Sequence, residues 1–449
     1  MSIKFSKYNI EIPVGTRVYL YNTLSGCSTL VSKEQLNYLK NIIVQFNEED
    51  IEINKWTEVI RFLLDNGYVV AKEVDEIALA LKKYDKIVTD MSQLSLVIAP
   101  SLQCNMNCYY CYEENKTDLS LKSDDSELLF NFIKSRLIKN GKLGITWFGG
   151  EPLLCKDFIV NASSNLVALC QSMNVTYSFR MVTNGYLLDS ETAKELYDNG
   201  ITSIQITFDG SRKEHNLVRQ SELDKGNNKD SFDRITNNIK YASEFLKIII
   251  RVNVSYKNID NMSLLLKQLN EAGLVDKISQ LYFYPVFNYK TSEPSANYLP
   301  QEGIHFTEKE FAAQERNLID MALEQGFEIF TPLSLKVGFI GCYASHDNGF
   351  VIDHTGEIKK CDHDLGKNGT SISSLNNYND ICDTKVLQKW NEHRPENHQT
   401  CRECAFLPIC YSYCPHSNLI LPNSEPRCPS YKYNYKETFP LYLEQRSIN

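Results

Sequence analysis

The sequence predicts an α/β protein centred on a partial (β/α)6 barrel, with a small strand-and-helix module before it and a cysteine-rich module after it. Two observations carry the prediction. Between about residues 94 and 290, apolar β-prone runs recur six times, and each but the last is followed by a stretch of helical character. That is the pattern of a parallel sheet joined by crossover helices. The second observation is the loop after the first run, Ser101-Leu-Gln-Cys-Asn-Met-Asn-Cys-Tyr-Tyr-Cys-Tyr112, which spaces Cys104, Cys108 and Cys111 as C-x3-C-x2-C. Three thiolates on so short a loop can hold three irons of a 4Fe–4S cube and leave the fourth without a protein ligand. An iron left open in this way can bind a substrate as well as carry an electron.

In chain order, residues 1–90 read as a separate module. Ile10-Glu-Ile-Pro13 and Arg17-Val-Tyr-Leu-Tyr21 alternate like short strands around the turn-forming Gly15. Ser32 precedes Gln35 by three residues, which suits a capping box at a helix start. Trp56, Val59, Ile60, Leu63 and Leu64 recur at helical spacing, Asn66-Gly67 ends that helix, and Tyr68-Val-Val-Ala71 is a returning strand. Residues 91–305 hold the barrel, with strands expected at Leu94–Ala99, Ile145–Phe148, Thr176–Val182, Ser203–Phe208, Ile248–Val254 and Gln280–Val286. A bridging region, 306–340, opens with a helix over 308–326 that stops at Gly326. Over 341–449 regular patterns fade and cysteines crowd in.

Length alone suggests two or three domains, since 449 residues exceed one ordinary core. The balance of 47 Lys+Arg against 56 Asp+Glu, with no basic run, argues against nucleic-acid binding. The first ten residues carry no apolar signal region, and no apolar stretch reads as long enough to span a bilayer, so a cytoplasmic protein with no membrane partner is expected. Fourteen cysteines in such a chain point to metal ligands rather than disulfides.

The C-x3-C-x-aromatic-C loop resembles the signature of radical S-adenosylmethionine (SAM) enzymes, which implies a TIM-type partial barrel of the radical SAM kind. In that family SAM chelates the open iron, and reduction of the cube cleaves it to methionine and a 5′-deoxyadenosyl radical. The resemblance extends to further turns. Gly149-Gly150-Glu151-Pro152 is similar to the family's GGEP motif, which receives the SAM amino group. Thr183-Asn184-Gly185 and Thr207-Phe-Asp-Gly210 look like its ribose-side and substrate-side turns, so Thr207 would bond the ribose and Asp209 would order the loop leading to His215 and Arg219. Asx-type turns are the plain alternative for Asn184 and Asp209. His215 reads as a solvated loop residue, and Arg251, with Asn253, as a group at the barrel mouth or in a structural ion pair.

The cysteines Cys342-x13-Gly356-x4-Cys361, Cys401-x2-Cys404-x5-Cys410-x3-Cys414 and Cys428 resemble the SPASM arrangement that follows the barrel in one radical SAM branch. By that match Cys401, Cys404, Cys410 and Cys428 close one auxiliary 4Fe–4S cluster, and Cys342, Cys361 and Cys414 hold a second. Residues 334–341 contain no further cysteine, so an iron of the second cluster is left open, with Cys382 as a substitute ligand. Zinc is the rival occupant of such pairs. Cys27, Cys155 and Cys170, with Cys382 if unliganded, read as buried free thiols. The front module resembles the winged-helix, PqqD-like elements that hold a leader peptide as an added strand.

The resemblance implies a peptide maturase. It abstracts a hydrogen from a ribosomally made precursor, takes electrons from a flavodoxin- or ferredoxin-type donor, and closes a crosslink, foremost a Cys thioether. The alternative is the anaerobic sulfatase-maturating type, which oxidises Cys or Ser to formylglycine and uses a carboxylate placed like Asp362 as base. A reading of another class is a non-catalytic iron–sulfur or zinc scaffold that binds a partner peptide.

Overall fold

The computed structural model of the chain describes residues 2–48, 57–113, 116–223, 230–287, 303–329, 341–379, 384–420 and 426–448. Trp56 and Cys382 lie outside them.

The front module contains β1 (Ile3–Phe5), β2 (Asn9–Val14), β3 (Arg17–Asn22), β4 (Ser28–Ser32), α1 (Lys33–Glu48), α2 (Thr57–Asp65), β5 (Val69–Ala71) and α3 (Glu76–Val88). Ser32 and Gln35 exchange the two capping hydrogen bonds, at 2.8 and 3.0 Å. β5 returns against β1 antiparallel, and β2, β3 and β4 form a meander in that order. Ile60 and Leu63 turn into a core with Val18, Leu20 and Leu36, whereas Val59, expected with them, is exposed. β4 runs directly into α1 and takes in Leu30 and Val31, which the sequence assigns to the opening of the helix.

The barrel strands are β6 (Gln93–Ile98), β7 (Lys142–Trp147), β8 (Thr176–Thr183), β9 (Ile201–Phe208), β10 (Lys247–Val254) and β11 (Gln280–Pro285). All are parallel to their neighbours. Helices α4 (Ser123–Arg136), α5 (Lys156–Ser172), α6 (Ser190–Asp198), α7 (Arg212–Val218), α8 (Ser231–Ala242) and α9 (Met262–Glu271) connect them. Alternation along the strands explains the layering: Ile248, Ile250, Val252 and Val254 are buried beneath the helices, while Arg251 and Asn253 take the alternate positions. The stretch Pro152–Ser172 is long and apolar enough by composition to cross a membrane, which corrects the expectation that none would be. Its apolar residues have another use here, since Ile159, Ala162, Leu166 and Leu169 pack into the main core.

Thr307 and Glu310 form a capping box that starts α10 (Glu308–Glu324), and Gly326 follows it with φ +85°. The sheet then continues beyond the barrel. β12 (Gly349–Ile352) pairs parallel with β6, and β13 (Glu357–Lys359) and β14 (Ser373–Ser374) extend it antiparallel to nine strands. The helix Tyr431–Ile448 packs against α10 and β2. The front module is fastened to the cysteine-rich end: Lys7 Nζ donates to Arg402 O at 2.7 Å, Thr23 Oγ1 to Ala405 O at 2.5 Å, and Asp85 pairs with Arg394 at 2.5 Å.

Candidate active site

The cysteine loop leaves β6 and crosses the top of β7. Gly149 has φ +110°, and a Cβ there would collide with Ser101 O. One on Gly150 would collide with the carbonyls of Leu102 and Gln103. The room these glycines leave is thus taken by the cysteine loop's own backbone. Glu151, fully buried, accepts from Leu153 N at 3.0 Å, Thr183 Oγ1 at 2.7 Å and Asn184 N at 2.8 Å. Burial pushes its carboxyl up against the pull of those donors. With Pro152 opening the helical turn behind it, Glu151 ties the end of β7 to the Thr183-Asn184 turn. Asn184 Oδ1 accepts from Tyr186 N at 2.9 Å, an Asx turn, while its Nδ2 donates to Asn105 Oδ1 in the cysteine loop at 2.7 Å.

A second network anchors the loop from the other side. Tyr110 OH donates to Asp209 Oδ1 at 2.6 Å, and Arg219 pairs with Asp209 while its Nη2 donates to Tyr110 OH at 2.8 Å. Asn253 Nδ2 reaches both Tyr110 OH and Asp209 Oδ1, at 3.0 and 3.1 Å. Burial pushes the Asp209 carboxyl up, but Arg219 and the donors together hold it below its usual value. Thr207, buried, pairs with Arg251 in the strand ladder. Arg251 Nε donates to Asn253 Oδ1 at 2.9 Å, and its guanidinium lies 4.1 Å from the Tyr284 ring centroid.

His215 departs from the sequence expectation. It is fully buried on α7, with ring centroids 5.0 Å from Phe208 and 5.7 Å from Phe232, and among the described residues neither ring nitrogen has a hydrogen-bond partner. The helical turn carries it inward because Ser211 and Glu214 cap α7. Burial foremost, then Arg219, pushes the imidazole down to about 3. An unfolded chain binds a proton near pH 6.5 that the folded one refuses, so stability is present above that pH and is lost as pH falls below it. Wild type is expected to lose about 3 kcal/mol more than His215→Leu between pH 7 and pH 4, as read by urea unfolding at each pH. Equal losses would mean that the histidine protonates in the fold.

The other cysteines form two sets. Cys361 feels the charge of Cys342 and Cys414, and Cys410 that of Cys404, Cys428 and Cys401. In the barrel loop, Cys104 and Cys111 each feel Cys108. Cys401, Cys404, Cys410 and Cys428 also line one small cavity. Burial pushes Cys104 and Cys342 up to about 12 and Cys111 up to about 11, so only a bound cation would make them thiolates at neutral pH. A single tetrahedral zinc would draw its sulfurs to within about 3.8 Å of one another. Among the described residues no three His, Cys, Asp or Glu side chains stand close enough to hold one metal ion. A cube takes each thiolate on a different iron, so its ligands stand farther apart than those of a single zinc. Of the expected free thiols only Cys170 is buried; Cys27 and Cys155 are half-buried because each lies at the end of an element.

Asp362 lies where the two cysteine fields meet. Its carboxylate accepts from Tyr343 OH at 2.6 Å and Tyr112 OH at 3.2 Å, and Cys361 Sγ stands 3.8 Å from Oδ1. Burial pushes this carboxyl up, yet His363 and the two phenols together hold it below its usual range. Beside it Glu113, 5% exposed, is pushed up to about 8 by burial and then by the charge of Asp362. Its Oε1 has no hydrogen-bond partner among the described residues. The two shifts run in opposite directions, Asp362 towards the carboxylate and Glu113 towards the acid. Tyr112, Glu113 and Tyr343 escaped the sequence reading, although Tyr112 and Tyr343 directly follow cysteines of the two motifs.

Residues 98–269 match the radical SAM superfamily. A cysteine-type anaerobic sulfatase-maturating enzyme of Clostridium novyi is 24% identical over 389 residues, covering 79% of this chain and 96% of its own. Among solved structures, anSMEcpe with bound AdoMet and Cp18Cys peptide superposes with a TM-score of 0.55 at 20% identity, over 80% of this chain and 98% of that one. Streptococcus suis SuiB bound to precursor peptide SuiA superposes with a TM-score of 0.53 at 16% identity, over 95% of this chain and 99% of that one. The chain spans 59% and 96% of the length of the first two curated relatives it matches.

Proposed function

We propose, from the premise that the chain is a radical SAM enzyme, that it modifies a ribosomally made peptide and installs a crosslink, a Cys thioether foremost. The observation that carries this reading is the front module. Its meander ends in β4, which has no strand partner on its outer side among the described residues, and Leu30 on that edge is exposed. An open edge strand can take a leader peptide as a further strand through backbone pairing. The contacts of Lys7, Thr23 and Asp85 with the segment 394–405 would keep such a leader beside the second cysteine field.

Cys104, Cys108 and Cys111 would hold the cube that binds SAM, near Gly149, Gly150, Glu151, Pro152, Asn184, Thr207 and Arg251. The cube and SAM would supply a 5′-deoxyadenosyl radical able to take a hydrogen atom. Cys401, Cys404, Cys410 and Cys428 would hold one auxiliary cluster and Cys342, Cys361 and Cys414 the other. The substrate radical's surplus electron would leave through such clusters, and a flavodoxin- or ferredoxin-type donor would supply the electron that cleaves SAM. Asp362, ionised and held by two phenols, would accept the proton that the thiol or target carbon gives up.

That same carboxylate favours a second reading, oxidation of Cys or Ser to formylglycine. Mass spectrometry of a cysteine-containing precursor separates the two. Loss of two hydrogens with sulfur retained and one thiol no longer alkylated is the expected result. An aldehyde in place of the thiol would replace the crosslink reading. Asp362→Asn is expected to slow product formation about 100-fold or more if the carboxylate is the base, with formation of 5′-deoxyadenosine less affected. A loss below about tenfold would leave it a structural group.

A further inference from the structure

A cavity of about 510 Å³ is used by none of these roles. It follows the inner faces of β8 to β11 and is closed by α10 and the segment around Cys428. Tyr282, Tyr284 and Tyr413 give it aromatic walls.

Four charged side chains reach this space: Arg180, Glu308, Glu315 and Arg427. Arg427 is paired with Glu308 and stacked on Phe287, its guanidinium 3.6 Å from the ring centroid. Glu315 accepts from Asn434 Nδ2 at 2.7 Å, and burial pushes its carboxyl up. Arg180 is left. Its Nε donates to Thr146 Oγ1 at 2.7 Å, which orients the guanidinium, and among the described residues no carboxylate pairs with it. Arg180 is exposed, so at this cavity it presents one oriented cation beside aromatic walls, with its other N–H groups accessible to a ligand. A guanidinium so placed matches a carboxylate with two parallel hydrogen bonds.

We propose that this cavity is a carboxylate subsite, in which Arg180 takes an acidic group of the substrate peptide. The inference rests on the peptide reading above and adds to it a rule of substrate choice. The acidic group is an Asp or Glu side chain or the peptide's own C-terminus, and both present the same planar anion.

The test uses the full chain, reconstituted without oxygen and saturated with SAM, and three synthetic peptides. These are acetyl-Gly-Cys-Gly-Glu-Gly-amide, its glutamine counterpart as the amide, and that glutamine peptide with a free C-terminal carboxylate. At least one carboxylate peptide is expected to bind about tenfold or more tightly than the glutamine amide. Which of the two does so identifies the source of the anion. Arg180→Gln is expected to remove the preference, and Arg180→Lys to keep part of it, since it retains charge without the planar fork. Equal binding of all three peptides by wild type would overturn the subsite. So would an Arg180→Gln enzyme that still discriminates, or one whose affinity falls for SAM instead of for the peptide. If no peptide binds while 5′-deoxyadenosine still forms, the subsite is overturned, whereas the peptide reading stands or falls with the product mass of the leader-bearing precursor.

Discussion

Asp209→Asn is expected to destabilise the protein by about 3–5 kcal/mol, because it leaves the buried Arg219 guanidinium without its counter-charge. Arg219 and Asp209 have side chains only 9% and 3% exposed, so water cannot replace the lost carboxylate. The same change leaves one acceptor oxygen where there were two, so an amide NH2 faces either Arg219 or Tyr110 OH, which holds the cysteine loop to the barrel mouth. Both losses can be read separately: denaturant unfolding reports the stability, and iron content after anaerobic reconstitution reports the loop. Tyr110→Phe is the control, expected to cost about 1–3 kcal/mol since it removes one hydroxyl and no charge. Asp209 is held below its unfolded value, so its contribution is present above about pH 4 and fades as pH falls through the lower folded value. An Asp209→Asn protein within about 1 kcal/mol of wild type at pH 7 would show that the network does not bear on folding.

Cys108→Ala is expected to abolish formation of 5′-deoxyadenosine and to leave in place the two auxiliary clusters proposed for the later cysteines. Two thiolates cannot hold a cube against loss of iron, whereas the sets at the other end of the chain keep their ligands. Iron should fall from about twelve to about eight atoms per chain, four for each cube. Folding should survive, because a half-buried thiol is replaced by a methyl group and the Tyr110–Asp209–Arg219 network remains. Undiminished 5′-deoxyadenosine in this variant would remove the loop from the chemistry. Loss of all iron would mean instead that the three sets assemble as one unit.

The six barrel strands could be read because each is an apolar run ended by a turn signal, and those signals are local. Gly149, Gly185 and Gly210 follow three of the strands and have positive φ, as the turns require. β12 could not be read: Gly349–Ile352 is four residues long and becomes a strand by pairing with β6, about 250 positions earlier. The C-terminal helix Tyr431–Ile448 was hidden by weak periodicity and an internal Pro440. His215 was misjudged for a related reason. A histidine beside charged residues reads as solvated until the chain folds Phe208 and Phe232 around it.

The sequence alone determined which residues could serve chemistry, since the spacing of Cys104, Cys108 and Cys111 and of the later cysteines is a property of short loops. It likewise determined the order of strand and helix, because period and turn residues act within a few positions. Only the tertiary structure decided how these pieces are held and charged. Tyr110 meets Asp209 across 99 positions, Asp362 meets Tyr112 across 250, and Thr23 meets Ala405 across 382. Whether Asp362 is ionised, Glu113 protonated or Arg180 left facing an open cavity depends on burial and on neighbours brought from distant segments. Neither is encoded within any one segment, because desolvation and charge pairing exist only once the chain has closed around the group.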